Sequence, residues 1–235
     1  MRQYHWWRTV FFLIPAISLY TIVLGSVSLA STLFDRNGVR SHRCARAWSW
    51  LILKTTGVRV RVSGLDHLAG LRSCVLAANH QSIYDIPIVF ASVPLQLRIV
   101  AKESLGRIPF MGWHLQRAGH LLVDRRNPGA AIVQKMARLV REGSSLIVFP
   151  EGTRSADGTL GAFKKGSFLV AINAGLPIVP VTIRGTYELL PRTSLAPRPG
   201  RVDVLISEPI DTAAYSEKTL GDLIERTRAA IAAHL

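Results

Sequence analysis

The first residues with a spacing that could do chemistry are His80 and Asp85, in the stretch NHQSIYD. On one continuous helix an offset of five residues turns by about 140°, which points the two side chains apart. They can meet if His80 lies in a turn after a strand and Asp85 in the first turn of the next helix, where a carboxylate is favourable. Asp85 would then fix the imidazole tautomer, and the other ring nitrogen could take a proton from a substrate hydroxyl. The alternative is a helix-capping loop with a polar surface histidine, so neighbouring motifs must decide.

A second candidate is the turn FPEGTRS, residues 149–155, which follows a strand-like run. Backbone amides in a glycine-containing turn and the fork of Arg154 suit a phosphate group. Further cations follow other strand-like runs or stand near a helix start: Lys102, Arg125, Lys164 and Lys165. Any one of them could be a solvated surface charge, but together they favour an anionic head group as ligand.

The elements that must hold these residues alternate along the chain from Gly57 onward. Short apolar runs predict strands at 58–62, 74–79, 97–101, 120–124, 145–149, 177–183 and 201–206. Helical patterns lie at about 83–91, 108–118, 128–142, 165–174 and 217–233. This alternation predicts an α/β domain, a mixed and largely parallel sheet with helices on both faces, whose ligands bind at the carboxyl ends of the strands.

The composition points to an acidic partner and to a membrane. The chain has 235 residues, a net charge of +14 and 49% hydrophobic residues. Nucleic acid, anionic lipid head groups, coenzyme A and acidic carrier proteins would all match that charge. Up to Arg61 there are nine basic residues against one acid, Asp35, and they flank an apolar run. This favours an anionic bilayer over nucleic acid. Cys44 and Cys74 match no metal spacing, and a reducing compartment is the simpler interpretation.

The N-terminal segment, residues 1–56, is predicted to anchor the α/β domain, residues 57–235, to a membrane. Residues 9–34 contain no charged side chain, and Trp6 and Trp7 precede them as interfacial aromatics would. Residues 39–53 have the pattern of an amphipathic interfacial helix. Two arrangements remain open: a spanning helix with an interfacial one, or a hairpin in one leaflet. The larger basic cluster follows the apolar run, which favours a cytoplasmic position for the α/β domain.

Four motifs in order resemble those of the glycerolipid acyltransferases: NHQSIYD (79–85), GHLLVDRRN (119–127), FPEGTRS (149–155) and LPIVPVTI (176–183). The resemblance covers about residues 57–210, and it includes AKESL (101–105) and PFMGW (109–113). One such motif would be weak support, whereas four in sequence identify the chain as a member of this family.

The resemblance implies a role for each matching position. His80 would be the general base and Asp85 its orienting partner. The acceptor phosphate site would contain Glu151, Gly152, Thr153 and Arg154, helped by Lys102 and Arg125, with Arg126 as a weaker candidate than Arg125. The fourth motif, around residues 179–181, would line the acyl pocket or support the active site. No metal or organic cofactor is implied.

The implied reaction moves a fatty acyl chain from acyl-CoA or acyl-carrier protein to the sn-2 hydroxyl of lysophosphatidic acid, which gives phosphatidic acid for phospholipid biosynthesis. A second acceptor, such as lyso-ornithine lipid, remains open. A thioesterase or lipid hydrolase would have no need of the cationic positions. A basic protein that binds membrane or nucleic acid by charge alone would have no use for His80 and Asp85. Anionic membrane lipids are therefore expected partners, and nucleic acid is not.

Overall fold

The computed structural model describes residues 2–35, 37–123, 134–136, 138–139 and 142–235. The chain begins with a long helix composed of α1 (Arg2–Arg8), a π-helical turn (Thr9–Leu13) and α2 (Ile14–Ser31). The π-helical turn ends two residues before Pro15, which has no amide hydrogen to continue the α-helical pattern. In the described part of the chain, Tyr4–Ser31 is the one helix with the length and mean hydropathy, 2.2, to cross a bilayer by those criteria alone. Only 11% of its most apolar window is buried, so most of this helix remains at least partly exposed.

The second long helix, α3 (Val39–Thr56), ends at Gly57 in the left-handed conformation that favours glycine. It packs on α2, where the indole nitrogen of Trp48 donates to the Thr21 hydroxyl at 3.0 Å. Its buried residues, which include Ile52 and Leu53, belong to the same apolar core as the sheet. The expected amphipathic helix is therefore present, with its apolar side packed into the domain.

Seven strands form one sheet. They are β1 (Val58–Ser63), β2 (Val75–Ala78), β3 (Leu97–Lys102), β4 (Leu121–Val123), β5 (Ser145–Val148), β6 (Ile178–Arg184) and β7 (Gly200–Ile206). Their order is β1-β7-β6-β2-β5-β3-β4. Within this sheet the β6–β7 pair is antiparallel, and the other neighbouring pairs are parallel. The predicted mixed, largely parallel sheet is confirmed.

The remaining described helices cover both faces of the sheet, as predicted. They are α4 (Asp85–Ser92), α5 (Met111–Arg117), α6 (Gly166–Ala174), α7 (Thr186–Leu189) and α8 (Leu220–Ala232), with 3₁₀ turns at Leu65–Leu68, Glu103–Arg107 and Glu217–Thr219. Leu76 and Ala78 of β2 pack with α3 and α4 on one face. Val75 and Ala77 pack with α6 and α8 on the other. This alternation buries both faces of the central strand.

The helix expected at 108–118 begins later, at Met111. Pro109 disfavours a helical conformation at the residue before it, and Phe110 has a positive φ of 59°. The helix predicted at about 128–142 lies mostly outside the described residues. The other predicted helices agree with the structure to within a few residues at their ends.

Because β2, β3, β4, β5 and β6 run in the same direction, their carboxyl ends lie along one edge of the sheet. The stretch that contains His80 leaves β2 at this edge, and FPEGTRS leaves β5 beside it. The topology therefore brings the first and third motifs next to each other, as expected for an α/β sheet.

Candidate active site

The turn that carries His80 is anchored to the neighbouring strand by Asn79. The Asn79 side chain accepts the amide hydrogen of Ile183 at 2.7 Å and donates to the carbonyl of the same residue at 2.8 Å. Asn79 thus pairs with β6 as a strand residue would. His80 therefore starts from a fixed position at the end of β2.

His80 and Asp85 meet as their spacing predicts, across the turn between β2 and α4. The Nδ1 atom of His80 lies 2.8 Å from Oδ2 of Asp85. The same oxygen accepts the amide hydrogens of Gln81 and Ser82, each at 2.8 Å, and the Asp85 side chain is completely buried. These three donors on one oxygen at a helix N-terminus fix the orientation of the Asp85 side chain. The imidazole then carries its hydrogen on Nδ1, which leaves Nε2 to accept a proton.

The FPEGTRS loop surrounds His80 on its other sides. The ring of Phe149 stacks on the imidazole with centroids 4.1 Å apart and an angle of 20° between the planes. The amide of Ser155 donates to the His80 carbonyl at 2.7 Å. Oε1 of Glu151 accepts the His80 amide hydrogen at 2.7 Å, and Oε2 accepts that of Gly161 at 2.8 Å. Burial raises the pKa of Glu151, and the two amide bonds oppose that shift.

Some of the cations predicted for a phosphate site lie in or against the FPEGTRS loop. Gly152 has a φ of 74°, and a Cβ atom built on it would lie 2.8 Å from Nζ of Lys164. Only glycine therefore allows the Lys164 side chain to lie across this turn. Arg154 is half-buried, whereas Thr153 is exposed. Lys102 is exposed at the end of β3.

Two further residues predicted for the phosphate site, Arg125 and its weaker alternative Arg126, lie outside the described residues. The described residues contain no group of three or more His, Cys, Asp or Glu side chains that could hold a metal ion.

An apolar cavity of about 150 Å³ lies between the N-terminal helices and the helices α4 and α5. It extends from Ile83, in the turn before α4, along that helix to Phe90. Its other lining residues come from α2, α3, β3, the 3₁₀ turn Glu103–Arg107, α5 and His120, among them Leu24, Trp48, Ile99, Leu105 and Leu115. Val179 and Val181 of the fourth motif are completely buried in the sheet core and do not line this cavity. Of the two roles expected for that motif, the structure favours support of the active site through the Asn79–Ile183 contact.

Some positioning residues were missed in the sequence. Asn79 and Phe149 stand inside quoted motifs, directly before His80 and at the start of FPEGTRS, so their positions were a usable signal. Gly161 lies outside every motif, and nothing in its sequence context indicates that its amide reaches Glu151.

Comparison with known proteins identifies relatives of this chain. The family model described as Acyltransferase matches residues 59–184. The chloroplastic 1-acyl-sn-glycerol-3-phosphate acyltransferase BAT2 of Brassica napus is 34% identical over 183 residues, 76% of this chain and 53% of the relative. This chain thus spans about half the length of that relative.

Two bacterial proteins match over more of their length. The 1-acyl-sn-glycerol-3-phosphate acyltransferase of Pseudomonas aeruginosa is 30% identical, over 77% of this chain and 70% of the relative. The crystal structure of the 1-acyl-sn-glycerophosphate (LPA) acyltransferase PlsC from Thermotoga maritima is similar with a TM-score of 0.72 and 27% identity. That similarity covers 93% of this chain and 96% of the other.

Proposed function

The chain belongs to the acyltransferase family, and we propose that it transfers a fatty acyl chain from acyl-CoA or acyl-carrier protein to the sn-2 hydroxyl of 1-acyl-glycerol-3-phosphate. The product is phosphatidic acid. The observation that carries the proposal is the 2.8 Å contact between His80 Nδ1 and Asp85 Oδ2, because it leaves Nε2 as a base for a substrate hydroxyl. The names of the similar proteins support this acceptor.

In the proposed reaction the acceptor supplies the nucleophile. Its phosphate docks on Arg154, with Lys102 and Arg125, and its free hydroxyl approaches Nε2 of His80. His80 removes the proton as the oxygen attacks the thioester carbonyl. Backbone amides at this edge stabilise the oxyanion. The C–S bond then breaks, and His80 returns its proton to the leaving thiolate. These steps involve no metal or organic cofactor.

The apolar cavity beside α4 suits the hydrocarbon chain. Ile83 and Ile86 lie within six residues of His80 along the chain and line the cavity, so a chain that leaves the reacting centre can enter it directly. Its lining is almost entirely apolar, as burial of a fatty acyl chain requires.

The proposed location is the inner membrane, with the α/β domain on the cytoplasmic side. The exposed apolar residues of the first long helix, such as Phe11, Leu19 and Val23, supply the membrane-facing surface. The helix is also tied to the domain near both ends: Arg8 donates to the Pro197 carbonyl at 2.7 Å, and Ser28 pairs with His114 at 2.6 Å. A helix held along the domain in this way supports the hairpin in one leaflet over the spanning arrangement. Anionic lipids would bind the flanking basic residues.

The test is an acceptor panel with purified protein and one labelled acyl-CoA. Lysophosphatidate should be acylated faster than lyso-ornithine lipid and other lysophospholipids. Faster acylation of lyso-ornithine lipid would move the proposal to that acceptor. Release of free fatty acid at the same rate with and without an acceptor would replace acyl transfer by hydrolysis.

A further inference from the structure

Glu151 stands in the motif that supplies the phosphate site, but its carboxylate is directed toward backbone amides. One oxygen accepts the amide hydrogen of His80 at 2.7 Å, and the other accepts that of Gly161 at 2.8 Å. The residue is 8% exposed. An ionised carboxylate has no hydrogen to donate, so it offers a phosphate group repulsion rather than a bond.

We infer that Glu151 is a positioning residue for His80 and does not bind the acceptor phosphate. The inference rests on the proposed function, because it assigns a role within that reaction. Glu151 joins the catalytic turn after β2 to the loop after β5 and to the segment around Gly161 by two hydrogen bonds. Hydrogen bonds from an amide to a charged acceptor are stronger than neutral ones, which suits a rigid connection.

One short loop forms hydrogen bonds with both the amide and the carbonyl of His80. The amide hydrogen of His80 is bound by Glu151, and its carbonyl accepts the amide hydrogen of Ser155 at 2.7 Å. Arg154 lies between these two residues in the chain, so the loop that would bind the phosphate also fixes the base. The distance from the phosphate site to Nε2 is therefore set within a single rigid unit. Misplacement of a reacting group by about 1 Å can lower the rate by about 100-fold.

The electrostatic surroundings support this role. Burial raises the pKa of the Glu151 carboxyl, the amides of Gly161 and His80 lower it, and Asp85 adds a further small increase. Because Asp85 is close by, the negative charge of Glu151 would be unfavourable without the hydrogen bonds from these two amides. Loss of those two bonds would therefore leave a buried charge without partners.

The experiment compares three variants in steady-state assays and in binding of lysophosphatidate without an acyl donor. Glu151→Gln keeps the shape but can accept only one of the two amide hydrogens, because its NH₂ group faces the other donor. Arg154→Ala removes the proposed phosphate ligand. Asp211→Asn is the matched control, since Asp211 is an exposed carboxylate that also accepts a backbone amide hydrogen, that of Ala213 at 3.0 Å, but follows Ile210, which pairs with the start of β6 at the opposite edge of the sheet from His80.

Glu151→Gln should lower kcat by roughly 10- to 100-fold and leave the acceptor KM and the lysophosphatidate affinity within about threefold of wild type. Arg154→Ala should show the opposite pattern, with weaker acceptor binding, and Asp211→Asn should resemble wild type. A raised acceptor KM with normal kcat in Glu151→Gln would overturn the inference, as would unchanged values of both. If the wild-type protein acylates no lysophosphatidate, the proposed function fails instead.

A second measurement uses the wild-type protein and decides the matter if Glu151→Gln does not fold. Hydrogen exchange of the His80 and Gly161 amides is followed with and without saturating lysophosphatidate. If Glu151 positions His80, both amides stay protected when the acceptor is bound. If Glu151 turns to the acceptor, both amides lose protection on binding, and the inference is wrong.

Discussion

The histidines packed inside this chain fall into two groups with different neighbours. His80 is 6% exposed and lies 2.8 Å from the carboxylate of Asp85. His42, His114 and His120 lie close to the apolar cavity and to the buried guanidinium of Arg98. Burial and the positive charge of Arg98 lower the pKa of His42 and of His114 to about 4, and that of His120 lies well below its ordinary value.

The difference shows that burial alone does not make a catalytic base. His114 and His120 each use a ring nitrogen in structural hydrogen bonds, with the Ser28 hydroxyl at 2.6 Å and with the amide hydrogen of Ile99 at 3.1 Å. Neither pairs with a carboxylate among the residues that the structure describes. An imidazole of this kind stays neutral at pH 7 and fills space between helices, whereas the Asp85 carboxylate beside His80 would stabilise the imidazolium formed in the proposed reaction.

The strongest test of this comparison removes one histidine from each group. His80→Ala should keep the fold and lower kcat by about 10⁴-fold, since the general base is lost. His42→Leu should retain turnover per folded molecule, because His42 has no contact with the catalytic turn and does not line the cavity. Both are measured with labelled acyl-CoA and lysophosphatidate, alongside thermal unfolding. Near-normal activity in His80→Ala would end the assignment of the base.

Asp85→Asn should leave His80 with a neutral hydrogen-bond partner in place of a carboxylate, as in the second group of histidines. The amide oxygen can still accept from Nδ1, so the ring keeps its orientation, but the charge that stabilises the imidazolium is gone. We expect kcat to fall by about 10³-fold with an unchanged acceptor KM. A change confined to KM would show that Asp85 acts on substrate binding instead.

The sequence predicted the contact between His80 and Asp85 much better than it predicted the second group. The spacing showed that His80 and Asp85 could meet only across a turn between a strand and a helix, and the strands were visible because buried parallel strands form continuous apolar runs. His42, His114 and His120 come from three separate segments, and only the packing of α3, α5 and β4 brings them together. The contact between Glu151 and the amide of Gly161 was equally hard to predict, because Gly161 lies ten residues away and outside every motif.

The second group also predicts a loss of stability in acid. The unfolded chain takes up a proton on His114 near its ordinary pKa of 6.5, whereas the folded chain does so only near 4. The contribution of His114 to the free energy of unfolding is therefore complete above about pH 6.5. It falls as the pH drops to about 4 and changes no further below that. His114 alone accounts for about 3 kcal/mol over this window. Unfolding free energies at several pH values should decline less steeply in His114→Leu, and an equal slope would refute this cause.

Ser28→Ala is the smallest of these changes and tests whether the second group is structural. Ser28 is 1% exposed, and its hydroxyl pairs with Nδ1 of His114, which joins α2 to α5. Loss of a hydrogen bond that leaves a buried nitrogen without a partner costs about 1–3 kcal/mol. Ser31→Ala is the matched control on the same helix, because the Ser31 hydroxyl bonds mainly to the carbonyl of Ser28 within α2. We expect Ser28→Ala to lower the free energy of unfolding by more than Ser31→Ala while kcat stays unchanged in both. Equal stabilities would mean that the Ser28–His114 contact does not hold the N-terminal helix on the domain.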